Sequence, residues 1–141
     1  AVIKNSVGSK LFRNLYARVD GKKTDITRNG GLSCAFYVSS ILAPFKFIKE
    51  VHGTVDSTVR DLKKSGWKEI RKPKVGSILV WEKIDFGNNE AHKHIGFFIG
   101  NGKAVSNSYK LGYPVEHSWN FGAKRKVDIM LWNPRIFLRK Q

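Results

Sequence analysis

Residues 94–103 read His-Ile-Gly-Phe-Phe-Ile-Gly-Asn-Gly-Lys, and this stretch decides the fold class. Its first seven residues form a short, mostly apolar run that is typical of a buried strand, and we predict a strand from His94 to Gly100. The Asn101-Gly102 pair that follows is the strongest sequence signal for a two-residue hairpin turn. The chain should therefore return as an antiparallel strand from Lys103 to Ser108.

Two more strands are predicted on either side of this hairpin. Ser77 to Trp81 is a short apolar run, and Lys126 to Trp132 is another that ends at Asn133-Pro134. Between the first of them and the hairpin, Ile84 to Ala91 is predicted to be a polar loop. The second half of the chain is thus expected to be an antiparallel sheet.

Three helices are predicted in the first half of the chain. Apolar residues recur at helical spacing from Ser9 to Val19, and the run from Ser33 to Leu42 is almost wholly apolar or small, so the second helix should be central and buried. From Thr54 to Ser65, one apolar stripe follows a residue that can cap a helix. Helices followed by an antiparallel sheet make an α+β fold. The 141 residues contain no repeat or linker, so residues 1–141 are expected to form one domain.

The chain is strongly basic, with 26 Lys and Arg against 11 Asp and Glu and a formal net charge of +15. This charge favours a polyanionic partner, which could be nucleic acid, anionic lipid or an acidic cell-envelope polymer. The basic residues are spread from end to end, so a binding face and a solvated basic surface both stay open. No Lys/Arg-Gly-aromatic run or Gly-rich phosphate loop is present, so nucleic acid is not expected as an obligatory partner. We expect neither a transmembrane segment nor a secretory signal, because no apolar run is long enough and polar residues soon follow Ala1.

The single cysteine, Cys34, lies just inside the start of the second predicted helix, after Gly-Gly-Leu-Ser. Unpaired N–H groups and the partial positive charge of a helix N-terminus stabilise a thiolate and lower its pKa. The same N–H groups can stabilise an oxyanion formed when the thiolate attacks a carbonyl. The alternative is a packed core thiol, since cysteine is among the most buried residue types.

A cysteine nucleophile needs a base, and four histidines are available. We predict His52 to be a surface residue, His92 to be solvated and His117 to lie in a loop. His94 opens the most hydrophobic strand, and its side chain could project from the sheet against a packed helix, with Gly96 leaving space on the same face. The alternative for His94 is a half-buried histidine with satisfied hydrogen bonds.

Metal binding is the rival chemistry for these histidines. His92 and His94 are two residues apart on one strand face, as some zinc sites require. No nearby cysteine or second acidic ligand completes a set, so we expect no metal and no cofactor.

Three blocks of the sequence resemble the NlpC-type and CHAP-type papain-like cysteine peptidases, which are cell-wall hydrolases. The blocks are Gly-Leu-Ser-Cys-Ala-Phe-Tyr-Val (31–38), Lys-Val-Gly-Ser-Ile-Leu-Val-Trp (74–81) and the stretch at 94–103, within a similarity that runs from residue 9 to about residue 120. The resemblance implies a papain-like core in which N-terminal helices pack on an antiparallel sheet. It also implies that Cys34 is the nucleophile and His94 the general base. The expected reaction is hydrolysis of an amide bond in peptidoglycan through a thioester acyl-enzyme, by a thiolate–imidazolium pair.

The sequence departs from the family pattern at three places. Ser33 stands where the family usually has Asp, and Gly76-Ser77 stands where it has Gly-Asp. The third catalytic position, which orients the base, falls on Ser106 by the NlpC pattern and on Asn107 by the CHAP pattern. We favour Asn107 slightly, because an amide fixes the ring better than a hydroxyl. Adjacent strand residues face opposite ways, so at most one of the two should serve.

By this resemblance, the partner is peptidoglycan or another anionic cell-envelope polymer, and the protein is a secreted or cell-envelope monomer. The alternative is a non-catalytic module on the same fold that binds a polyanion. The papain-like frame also hosts acyltransferases that act on lipids, and these would need an apolar channel.

Overall fold

The fold is α+β, with an open six-stranded antiparallel sheet and a few helices. A computed structural model describes residues 1–12, 16–19, 22–25, 33–85 and 91–136. The helices are α1 (Val2–Asn5), α2 (Cys34–Leu42) and α3 (Val55–Lys64), and a 3₁₀ turn at Ala43–Phe45 follows α2. The strands are β1 (Tyr16–Val19), β2 (Lys22–Asp25), β3 (Lys68–Glu69), β4 (Ile78–Asp85), β5 (Ala91–Gly100), β6 (Lys103–Asn107), β7 (Pro114–Ser118) and β8 (Val127–Trp132).

The large sheet has the strand order β3-β8-β4-β5-β6-β7, and all its neighbouring strands are antiparallel. Strands β1 and β2 form a separate two-stranded hairpin. In the large sheet, His94 pairs with Trp81 on β4, and Gly96 pairs with Ser106 on β6. The strand order makes β5 an interior strand, and this register sets His94 and Gly96 beside residues of its two neighbouring strands.

One face of the sheet packs against α2 and α3. Side chains of β4, β5, β6 and β8 build this face, and all are at most 1% exposed: Ile78, Val80, Ile95, Phe97, Val105 and Leu131. From the helices, Val38 and Leu62 are fully buried against them. Because strand side chains alternate, the odd-numbered residues of β5 point to the helices. This helix-bearing face is the main core of the protein.

The opposite face carries a second, smaller apolar cluster around Trp81. Leu79, Phe98 and Ala104 are buried in it, and Trp119 packs against it from the connection between β7 and β8. The Trp81 indole Nε1 donates a hydrogen bond of 2.8 Å to the Trp119 carbonyl. This bond ties the β7–β8 connection to the sheet, so both faces are covered.

Several predicted elements are confirmed. Helix α2 starts at Cys34, although Ser33 makes no capping hydrogen bond through its side chain. Helix α3 follows Thr54, whose side chain accepts a hydrogen bond from the Ser57 backbone N–H. Asn101 and Gly102 have φ angles of 51° and 70°, as a two-residue hairpin turn with two left-handed residues requires. None of the described helices is long and apolar enough to span a bilayer.

The predicted helix from Ser9 to Val19 is wrong. Within it, residues 9–12 are not helical and Tyr16–Val19 is strand β1, which pairs with β2; positions 13–15 lie outside the described residues. Hydrogen bonding between two adjacent strands thus outweighed a helical spacing of apolar residues.

Two predicted loops also need correction. The predicted loop from Ile84 to Ala91 starts too early and ends too late, because β4 continues to Asp85 and β5 begins at Ala91; positions 86–90 lie outside the described residues. His117, expected to lie in a loop, is part of the edge strand β7. Pro114 starts this strand, a position where its missing N–H costs no ladder hydrogen bond. Positions 31–32 of the first family-like block lie outside the described residues as well.

Candidate active site

The Cys34 thiol lies at the first residue of α2 and contacts β5. Its hydrogen bonds are with the backbone groups of Ile95, Ala35 and Cys34 itself. The residue is half-buried and packs against the helix-bearing face of the sheet. The thiol therefore touches the strand one residue away from His94.

Burial raises the pKa of the Cys34 thiol, although four influences oppose it. The backbone hydrogen bonds at Ile95, at Ala35 and at Cys34 itself, together with the positive charge of Arg125, all lower this pKa. We predicted that the helix N-terminus would lower the thiol pKa, and the net direction in the folded protein is the reverse. Burial wins because a thiolate held among apolar side chains loses its hydration.

The His94 ring lies on the sheet face opposite α2. Its centroid is 5.3 Å from the Trp81 ring and 6.1 Å from the Phe121 ring. We predicted that this side chain would project against the packed helix, and the strand alternation turns it the other way. Its Nε2 atom is 2.8 Å from Ser106 Oγ, which leaves Nδ1 as the ring nitrogen open to another partner.

Burial lowers the pKa of His94 to about 3, and the charges of Arg125 and His117 push in the same direction. The imidazole is therefore neutral at physiological pH. Because the pKa of Cys34 is raised as well, the free protein holds a neutral thiol and a neutral imidazole. Both directions oppose the thiolate–imidazolium pair that the family resemblance implies.

Of the two candidates for the orienting position, Ser106 is the one within hydrogen-bond distance of His94. The two residues share a sheet face, since Ser106 pairs with Gly96 in the β5–β6 register. Asn107 is next along β6 and therefore faces the helix side, where it is 1% exposed. The geometry thus matches the NlpC spacing rather than the CHAP spacing that we slightly favoured.

His117 belongs to this group, although the sequence prediction placed it in a loop. It lies on β7, and its Nε2 atom is 2.7 Å from Ser106 Oγ. Its Nδ1 atom donates to the Ser118 carbonyl at 2.6 Å, and its ring stacks on Phe121 with centroids 4.2 Å apart. One signal could have indicated the strand, because Val115 and His117 have the spacing of two residues on one strand face.

Arg125 places a fixed positive charge beside the thiol and the ring. Only 7% of this residue is exposed, and its guanidinium donates to the Glu82 carbonyl at 2.9 and 3.0 Å and to the His92 carbonyl at 2.9 Å. Burial lowers the pKa of Arg125, while Cys34 and Glu82 raise it. The guanidinium charge lowers the pKa of both Cys34 and His94. It therefore favours a thiolate and disfavours an imidazolium.

A cavity of about 450 Å³ opens on the His94 side of the sheet. Phe121 and Val115 form apolar walls, and the basic side chains of Lys110 and Arg125 line it together with the histidines. No Asp or Glu is among the described lining residues, and neither is Cys34. The cavity is thus suited to an uncharged or anionic group that reaches His94.

The other two histidines are not among the described residues that line the cavity. His52 was expected to be a surface residue, but it is half-buried and its Nε2 atom lies 2.6 Å from an Asp61 carboxylate oxygen. His92, expected to be solvated, is also half-buried. Across the parts of the chain that the structure describes, no three His, Cys, Asp or Glu side chains are grouped so as to hold a metal ion.

The chain matches no model of a known protein family and no curated protein. The assignment of function therefore rests on the geometry of the site and on the sequence blocks.

Proposed function

We propose that this protein is a cysteine peptidase or amidase that hydrolyses an amide bond of peptidoglycan on a papain-like core. One observation carries the proposal: the Cys34 thiol, at the start of the central helix, contacts β5 at Ile95, the residue next to His94. The ring of His94 is held through Nε2 by Ser106, so that Nδ1 is the atom left to act as base. A nucleophile, a base and an orienting group are the minimum set for covalent catalysis by cysteine.

In the proposed reaction, Cys34 Sγ attacks the carbonyl carbon of the amide while its proton passes to His94 Nδ1. Because the ring lies on the other face of β5, this transfer runs past the start of α2, either directly or through one water. The imidazolium then protonates the leaving amine, the C–N bond breaks and a thioester remains on Cys34. Water attacks the thioester, His94 takes the proton of the water, and the carboxylic acid leaves as the thiol is restored. In this proposal, the backbone N–H groups at the start of α2 stabilise the oxyanion of each addition step.

The positive charge of the protein supports an anionic polymer as the substrate. A net charge of +15 raises the local concentration of the enzyme at a negatively charged wall. The cavity beside His94 presents basic and apolar side chains to the acyl or amine portion of the substrate. Peptidoglycan with attached anionic polymers combines both features.

The test is the release of new amino groups from purified peptidoglycan. Wild-type protein should release them, Cys34→Ala should abolish the release, and His94→Ala should lower the rate by about 10²- to 10⁴-fold, the usual contribution of a general base. His92→Ala is the matched control, because it removes an imidazole two residues earlier on the same strand and should leave the rate unchanged. Full activity of Cys34→Ala would rule out the thioester route.

A crystal structure gives a second test that needs no substrate. Cys34 Sγ should lie within about 4 Å of His94 Nδ1, since catalytic contacts are often longer before substrate binds. A separation beyond roughly 7 Å is too long for direct proton transfer and would contradict the proposal.

A second function, non-catalytic binding of a polyanion, is favoured by the same net charge of +15 together with a thiol whose burial raises its pKa. It predicts binding to an anionic polymer such as teichoic acid that weakens steeply with added salt and survives Cys34→Ala. Salt-sensitive binding without any release of amino groups would favour this function over hydrolysis.

A further inference from the structure

Three hydrogen bonds form a continuous chain across β5, β6 and β7. His94 Nε2 lies 2.8 Å from Ser106 Oγ, and Ser106 Oγ lies 2.7 Å from His117 Nε2. The chain ends where His117 Nδ1 meets the Ser118 backbone carbonyl at 2.6 Å. Ser106 is 1% exposed, so bulk water does not compete strongly for its hydroxyl.

The last bond fixes the direction of the other two. A carbonyl oxygen can only accept, so His117 Nδ1 must carry a proton and donate it to Ser118. A neutral imidazole has one ring proton, so His117 Nε2 is an acceptor and the Ser106 hydroxyl donates to it. The Ser106 oxygen is then left to accept from His94, which places the His94 proton on Nε2.

We propose that His117 is a positioning residue: acting through Ser106, it holds His94 in the tautomer whose Nδ1 is unprotonated. This inference rests on the proposed function, because it names the group that regulates the proposed base. Phe121 supports the arrangement, since its ring stacks on His117 at an interplanar angle of 13° and limits its rotation. Ser106 and His117 together thus do what one side chain does at the orienting position of the family pattern.

The same chain is a pH switch, because protonation of His117 reverses it. Protonated His117 donates from Nε2 to the Ser106 oxygen, and the Ser106 hydroxyl must then donate to His94 Nε2. The proton of neutral His94 moves to Nδ1, so the proposed base loses the lone pair of that atom. Activity should therefore be present at neutral pH and be lost as the pH falls through the pKa of His117.

The charged groups around His117 set where the switch acts. Burial lowers the pKa of His117 and the charge of Lys103 lowers it further, while the Ser118 carbonyl raises it. His94 faces it through Ser106, and Lys110 and Arg125 line the same cavity, with no carboxylate among the described lining residues. The switch therefore acts at a pH below the usual pKa range of histidine.

The test is NMR of the ¹⁵N-labelled 141-residue protein, which reports which ring nitrogen of each histidine carries the proton. We expect wild-type His94 to be protonated on Nε2 alone near neutral pH. His117→Phe keeps a ring that can stack on Phe121 but has no nitrogen, and Ser106→Ala removes the bridging hydroxyl; both should give mixed His94 tautomers. Ser108→Ala is the control, because Ser108 lines the same cavity but is not part of the hydrogen-bond chain from His94 to His117. It should leave the His94 tautomer unchanged.

The NMR measurement separates failure of this inference from failure of the proposed function, because it needs no substrate. An Nε2-protonated His94 that is unchanged in His117→Phe, or an Nδ1-protonated His94 in the wild type, overturns the inference. A wild-type titration in which His94 changes tautomer as His117 gains its proton supports it even if a variant fails to fold. If peptidoglycan is hydrolysed, His117→Phe should lower kcat by about 10²-fold with little change in KM. An unchanged kcat and pH profile would also overturn the positioning role.

Discussion

Replacing Gly96 with alanine should destabilise the protein and disturb the site together. An added Cβ would lie 2.6 Å from the Ser106 Cβ, 2.7 Å from the Val105 carbonyl oxygen and 3.1 Å from the Trp81 ring. Two of these neighbours belong to β6, so β5 and β6 must move apart by about 0.8 Å to reach an ordinary contact. Overpacking of this kind costs about 1–3 kcal/mol of unfolding free energy.

In a chain of this length, that cost lowers the melting temperature by roughly 3–12 °C, which circular dichroism can measure. Separation of the strands also pulls Ser106 away from His94, so the tautomer seen by NMR should become mixed. Gly122→Ala is the control: the added Cβ would meet no atom within 4 Å, and only its φ of +66° opposes the change, at about 1 kcal/mol. Gly96→Ala with the stability and the His94 tautomer of wild type would refute the close approach of the two strands at this position.

Three more predictions follow from individual side chains. Iodoacetamide should label Cys34 more slowly than a free thiol near neutral pH and faster as the pH rises, because burial raises the pKa of the thiol; faster labelling than a free thiol would contradict this. Asp61→Asn should cost about 2 kcal/mol near neutral pH, because the carboxylate accepts hydrogen bonds from His52 and from backbone amides. Although burial raises the pKa of Asp61, these hydrogen bonds lower it overall. The difference in the free energy of unfolding between Asp61→Asn and wild type, measured in urea, should therefore shrink in acid, because the wild-type carboxylate becomes protonated. Trp67→Phe should cost about 1–3 kcal/mol in the same assay, because it leaves the buried Phe47 carbonyl without its 2.7 Å donor, and an unchanged midpoint would contradict that bond.

The sequence predicted the elements whose signals are local. Helix α2 is almost entirely apolar, and the turn at Asn101-Gly102 needs two residues that tolerate positive φ, so neither depends on distant partners. Strand β1 was mistaken for a helix because its apolar spacing fits a helix, while its pairing with β2 depends on a neighbouring segment. Strand β7 was missed because it begins with a proline, and only its pairing with β6 makes it a strand.

The site shows the same division between local and distant signals. Position along the chain was enough to nominate Cys34 at a helix start and His94 at a strand start, and family spacing nominated Ser106. His117 could not be found in this way, because its contact with Ser106 exists only once β6 and β7 have paired. The raised pKa of the thiol could not be predicted from the sequence either, since burial of Cys34 depends on how the whole helix packs on the sheet.

A neutral thiol and a weakly basic imidazole change which proton transfer is difficult in the proposed reaction. With the pKa of His94 lowered to about 3, its imidazolium is a strong acid and gives its proton readily to a leaving amine. The same low pKa makes removal of the Cys34 proton the costly step, and Arg125 offsets part of that cost by stabilising the thiolate. The rate of hydrolysis should therefore increase as the pH rises towards the pKa of the thiol. In acid, protonation of His117 should abolish it. A rate that is highest in acid would mean that the imidazole acts as a cation from the start, which the buried environment of His94 opposes.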